Sequence, residues 1–113
     1  MPPDVVEFHE YVMSDVLGHI DGVTSERMFG GYGLYLEGVI FGIITSDSVL
    51  YFKVDETNKS AFESRGSEPF VYTGHKHKKS VTMPYWRVPE EIMEDKDMVV
   101  EWVHTSAEIS RKS

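Results

Sequence analysis

"RMFGGYGLYLEGVIFG", residues 27–42, decides how this chain folds. It spends five glycines in sixteen positions and still carries Phe29, Tyr32, Leu34, Tyr35, Leu36 and Phe41. Two readings compete for such a stretch. A phosphate loop needs a strand before its glycines and a helix directly after them, so that the helix N-terminus faces the anion. Here the glycines lead into Leu34-Tyr35-Leu36, which alternates as a strand does, and no Lys-Ser/Thr pair follows. A nucleotide site is therefore not expected. Gly30, Gly31 and Gly33 are expected to permit a positive φ, a bulge or a close backbone approach. Gly38 then serves a turn, and Gly42 leaves room for a helix against the sheet.

The neighbouring segments extend this strand reading. Val39 to Thr45 is apolar on both faces, as a central strand would be. After Ser46-Asp47-Ser48, the run VLYFKV alternates, with Leu50, Phe52 and Val54 on one face. The three segments predict an antiparallel meander. PFVYT (69–73) and SVTMPYWRV (80–88) predict two more strands joined by the polar loop GHKHKK. Pro84 confines the second of these to a sheet edge or a bulge.

Helices are expected on both sides of the strand region. Asp4 and Glu7 stand as an N-cap and its N3 partner, and Val5, Phe8, Val12, Met13, Val16 and Ile20 share a face at about 100° per residue. The spacing predicts an amphipathic helix over about residues 4–20, ended by Asp21-Gly22. Asp55 is expected to cap a short helix through Asn58 and Phe62, closed by Gly66. Pro89 starts a helical turn with Glu90 and Glu91 in its first positions. Asp97 is expected to open a last helix with Val99, Trp102, Val103 and Ile109 on one side. The predicted order is α-β-β-β-α-β-β-α. That is a single α+β domain over residues 1–113, an antiparallel sheet of about five strands flanked by helices.

Composition narrows the chemistry. With 113 residues and 41% hydrophobic side chains, the chain can bury one core. It has no cysteine, so disulfides, thiolate nucleophiles and Cys-based zinc sites are excluded. The N-terminus lacks the basic and apolar regions of a signal peptide, no apolar run approaches a membrane span, and a cytoplasmic protein is expected. A net charge of −8 opposes nonspecific nucleic-acid binding and favours a protein partner or a small ligand, without excluding DNA.

No residue pattern announces catalysis. A catalytic set needs a nucleophile, a base and an orienting group, and neither a nucleophile elbow nor zincin spacing is present. His9 lies in the apolar face of the first helix and reads as a satisfied core histidine. The acidic stretch EEIMED (90–95) lacks the spacing of a calcium loop and reads as a solvated helix face. The basic run His75, Lys76, His77, Lys78 and Lys79 reads as a solvated loop, the one obvious patch for a phosphate or an acidic partner. Its two histidines would share a face, and a metal, only on a strand. Tyr32, Tyr35, Tyr72, Tyr85 and Trp86 are expected to divide between core and surface, mostly core. No enzyme, cofactor or metal is expected.

Several motifs stand in a familiar order. Arg27-Met28-Phe29-Gly30-Gly31 with Gly33 and Tyr35, then Leu50 to Asp55, then Met83, Tyr85 and Val88-Pro89-Glu90, resemble the N-terminal domain of the TfoX (Sxy) competence-regulator family over about residues 4–107. Pro84 stands where the family usually has a small polar residue. The resemblance implies an α+β fold and a regulator without known catalysis. Full-length members carry a second, C-terminal domain and act as coactivators of competence genes with the cyclic-AMP receptor protein.

The expected interaction surface is Arg27, Met28, Phe29, Gly30, Gly31, Tyr32 and Gly33. Arg27 is expected to supply a charged contact and Tyr32 an aromatic anchor, with a transcription regulator as the partner class. Two alternatives stay open: direct DNA contact through His75–Lys79, and a small-molecule sensor or undetected enzyme with its ligand between helix and sheet. A homodimer through an edge strand or the aromatic surface is compatible with the sequence, and a membrane partner is not expected.

Overall fold

The computed structural model describes residues 4–73 and 80–113. The chain runs α1 (Val5–Tyr11), a π-helical turn (Val12–Val16), β1 (Val23–Met28), β2 (Gly31–Leu36), β3 (Val39–Ile44) and β4 (Leu50–Lys53). It continues through α2 (Lys59–Glu63), β5 (Pro69–Thr73), β6 (Ser80–Arg87), α3 (Glu90–Met93) and α4 (Lys96–Lys112). Six strands form one antiparallel sheet in the order β1-β2-β3-β4-β6-β5. The predicted meander is β2-β3-β4, and β1 is the strand beyond the five expected.

Cross-strand partners share a face of the sheet, which sorts the side chains. Tyr32 opposes Ile44, and Leu34, Gly42, Phe52 and Trp86 stand in one row. These residues belong to a single core with Val12 and Val16 of the π turn, Phe62 of α2, Ile92 of α3 and Val99, Trp102 and Val103 of α4. The helical layer therefore covers one side of the sheet. The opposite side carries Tyr35, Ile43, Tyr51, Lys53, Tyr85 and Arg87, none of which belongs to that core.

A register shift between Leu34 and Tyr35 marks a bulge against β3. It turns both Phe41 and Gly42 toward the helices. Two large side chains there would collide, and glycine resolves the crowding: a Cβ on Gly42 would stand 2.9 Å from the Phe52 ring. The space at Gly42 is taken within the sheet by the Tyr51 carbonyl, 2.6 Å from such a Cβ, and by the Phe52 ring, rather than by a helix as expected. Phe41 meets that ring edge-on at 5.5 Å.

The first helix is shorter than its periodicity predicts. Regular α-helix ends at Tyr11, and the chain then widens into the π turn, with Leu17 N–H donating to Val12 O at 2.8 Å. The extra residue per turn lets Val12, Val16 and Leu17 all enter the core. Asp4 caps α1 as expected, accepting from Glu7 N–H at 2.9 Å.

Two other local expectations are corrected, and one is borne out. The cap of α4 is Asp95, which accepts from Asp97 N–H at 3.1 Å and Met98 N–H at 3.0 Å. Asp55 accepts from Thr57 N–H at 2.8 Å in the turn before α2, whose N-cap is Asn58. Of the two settings expected for Pro84, a sheet edge or a bulge, the structure shows the bulge. There Met83, Pro84 and Tyr85 of β6 face the single residue Phe70 of β5, and the Pro84 carbonyl accepts from Val54 N–H at 2.9 Å. No ladder donor is needed there, so proline is tolerated.

Candidate functional site

The segment singled out in the sequence forms the β1–β2 hairpin. Its strands pair in register from Val23–Leu36 to Met28–Gly31, leaving Phe29-Gly30 as a two-residue turn. Both turn residues have positive φ, 47° and 77°. That is the geometry that follows the twist of a hairpin, and it ordinarily selects Asn-Gly or Asp-Gly. Here the first position is phenylalanine, 96% exposed.

The two aromatics of the segment therefore play opposite parts. Tyr32 is 6% exposed and belongs to the core. Its ring stacks on His9 of α1, centroids 3.7 Å apart and planes 7° apart, and the Arg27 guanidinium lies 5.5 Å from its centroid. The surface-presented aromatic is Phe29, with exposed Arg27 two residues before it. Met28 is half-buried on the open side of the sheet. Its sulfur lies 2.7 Å from where a Gly33 Cβ would stand, and the Tyr35 hydroxyl lies 3.1 Å from the same point. Gly31 is buried against β3.

His9 ties this hairpin to α1. Its Nε2 lies 2.8 Å from Ser25 Oγ of β1, and burial pushes the ring below its ordinary pKa of 6.5. Glu10 opposes that shift, and Arg27 adds to it. The fold thus holds a neutral imidazole between Tyr32 and Ser25. A base depressed in the native state contributes stability above its unfolded pKa and loses it as pH falls through the lowered native value. Acidification from about pH 7.5 to 5 should accordingly destabilise the wild type more than His9→Gln in urea titrations. Equal losses would show that the ring titrates freely in the fold.

The other expected residues are dispersed. His75, Lys76, His77, Lys78 and Lys79 lie outside the described residues. Tyr85 is buried, Tyr35 and Trp86 are half-buried, and Tyr72 is exposed on β5. His19 Nε2 lies 3.0 Å from Lys96 O, joining the loop after the π turn to α4. Among the described residues no cluster of His, Asp and Glu is placed to hold a metal ion, and no helix is long and apolar enough to cross a membrane.

Sequence reasoning missed two features of this site. One is β1 itself. The other is which aromatic is presented: Phe29 lay within the expected surface, but Tyr32 was expected as the anchor, and the structure buries Tyr32 and exposes Phe29.

No curated protein matches the chain. The family model of the TfoX N-terminal domain matches residues 15–109. The match runs from the π turn to the last turns of α4 and contains the whole sheet, so the hairpin site lies inside it. This chain belongs to the TfoX N-terminal domain family.

Proposed function

We propose that the domain is a noncatalytic regulatory module of the cytoplasm that captures a protein partner through the tip of the β1–β2 hairpin. One observation carries the reading: Phe29 is almost wholly exposed on a backbone with φ of 47°. A left-handed conformation costs an L-residue roughly 1–2 kcal/mol. Exposure returns none of that through burial in the free domain. A partner pocket that takes up the ring would return it, and arginine and aromatic side chains are enriched at interface centres. Arg27 supplies a charged contact beside the ring. A transcription regulator is the partner class this reading favours, on the strength of the family alone.

The test separates contact from folding. Asparagine tolerates the left-handed region, so Phe29→Asn should leave the urea midpoint unchanged or raise stability by about 0.5–1 kcal/mol. The same substitution, and Arg27→Glu, should abolish capture of the partner that the wild-type domain retains from cell lysate. Capture that survives both substitutions would remove the hairpin tip as the contact surface.

A further inference from the structure

The side of the sheet turned away from the helices is rich in apolar side chains. Tyr35, Ile43, Tyr51 and Phe70 are half-buried there, and the Tyr51 and Phe70 rings lie 5.0 Å apart. Beyond β4, which pairs with β6 only from Tyr85 to Arg87, β5 and β6 continue as a two-stranded ribbon. Tyr72 lies two residues after Phe70 and so shares its side of the sheet, and Val81 is the cross-strand partner of Tyr72. Tyr72 is 55% and Val81 52% exposed. The apolar surface therefore runs from β2 out along the ribbon.

The charges on this face are mixed in sign and ordered in space. Strand register places Glu26, Gly33, Ile43, Tyr51 and Arg87 in one row across β1, β2, β3, β4 and β6. A carboxylate stands at one end of the row, a guanidinium at the other, and Ile43 midway. Arg87 meets Glu68 at a long 4.0 Å with both side chains more than half exposed, a contact worth little. Asp47, Arg87 and Glu68 all act on Tyr51, so with Lys53 over Tyr85 the face is close to neutral. Most carboxylates behind the net charge of −8 lie on the helices or their caps. We propose that this open face pairs with the same face of a second copy of the chain, in a symmetric dimer whose two-fold axis runs along β3.

Three arguments select a second copy. A two-fold axis through Ile43 reverses the row, so Glu26 of each copy meets Arg87 of the other and both ends are matched at once. A partner surface of one sign would match one end and oppose the other. The centre is also complementary: Ile43 meets its own counterpart, and Tyr51 comes over Gly33 of the second copy, where the Met28 sulfur and the Tyr35 hydroxyl lie. An apolar centre with charges toward the rim is the usual anatomy of an interface. Finally, two chains of charge −8 repel, and a near-neutral face lets them approach without that cost. Packed sheets are rotated by about 30°. Glu26 and Arg87 stand two strands, about 10 Å, from the axis, so this rotation offsets them by about 5 Å, within the reach of an arginine side chain.

Sedimentation of the whole chain at micromolar concentration tests the proposal. The wild type should be a dimer. Glu26→Arg and Arg87→Glu should each raise the dissociation constant by about 100-fold or more, since both symmetric contacts become like-charged. An equimolar mixture of the two variants should form a heterodimer, because each introduced charge then faces its opposite. The double variant Glu26→Arg/Arg87→Glu should recover the homodimer for the same reason. Circular dichroism matching the wild type establishes that the variants are folded. Should a reversal fail to fold, Glu26→Gln and Arg87→Gln carry the test, each weakening the dimer by about 10-fold. A monomeric wild type overturns the proposal and leaves the face to a different occupant. Reversals that leave the dimer intact, or a mixture that stays monomeric, overturn it as well. So does a dimer lost with Phe29→Asn, which would place the interface at the hairpin tip.

Discussion

Phe52→Ala will destabilise the domain by about 3–5 kcal/mol, the range for truncating a fully buried phenylalanine. Phe52 is 0% exposed at the centre of the helix side of the sheet. Its ring fills the space left by Gly42 and meets Phe41 edge-on. Neither neighbour can close the void: Gly42 has no side chain, and Phe41 is held by the β3 bulge. The cavity term should therefore be retained almost in full. A domain of this size is stable by about 5–15 kcal/mol, so the variant will lie near the threshold of folding. Urea unfolding followed by tryptophan fluorescence measures the change, Trp86 lying next to Phe52 across the β4–β6 pair. A loss below about 1.5 kcal/mol would mean that the core relaxes into the void. Phe41→Ala combined with Phe52→Ala should depart from additivity, since the two rings share one contact.

Gly31→Ala should be the most damaging single-methyl substitution in the hairpin. The added Cβ would stand 1.9 Å from Ile44 O and 3.0 Å from Ile44 C. Both are backbone atoms of β3, and Tyr32–Ile44 pairing holds them in place. Relief requires the hairpin to lift from its neighbour, and we expect a loss of about 3 kcal/mol or more, at the upper end of overpacking costs. Gly38→Ala is the control. Gly38 has φ of 83° but nothing within 4 Å of the added Cβ. Its cost should be the backbone conformation alone, about 1–2 kcal/mol. Thermal unfolding of the two variants compares the terms directly. A Gly38→Ala variant less stable than Gly31→Ala would show that dihedral strain outweighs the close approach.

These two glycines also mark how far the sequence could be read. The turn at Glu37-Gly38 was legible because a two-residue link shows itself between alternating strands. A close backbone approach was among the roles expected at Gly31, but its partner was not legible, because it is the carbonyl of a residue thirteen positions away. The strand β1 was hidden for a related reason. Its inward-facing Ser25 meets His9 instead of an apolar core, so the run VTSERM shows no hydrophobic alternation. The first helix shows the converse problem. Its apolar spacing fits an ordinary helix to residue 20, and only packing against the sheet reveals the π turn. At the candidate site, Arg27 was legible as an exposed charge, whereas the hairpin that presents it was not, because β1 was hidden. The roles of Tyr32 and Phe29 were not separable by residue type, since both are aromatic and only the turn geometry decides which one faces solvent.

The place of α4 in the chain has a consequence for biosynthesis. The strands β1 to β4 are complete at Lys53, and each pairs with its neighbour through a short hairpin, so they can zip together as they emerge. Their apolar cover is made last: α4, which packs on β2, β3 and β4, begins only at Lys96. At ribosomal speeds of about 5–20 residues per second, the meander waits several seconds with Leu34, Phe41 and Phe52 uncovered. During that interval the nascent chain is a natural client for a ribosome-associated chaperone, and a stop codon before α4 would release an aggregation-prone sheet.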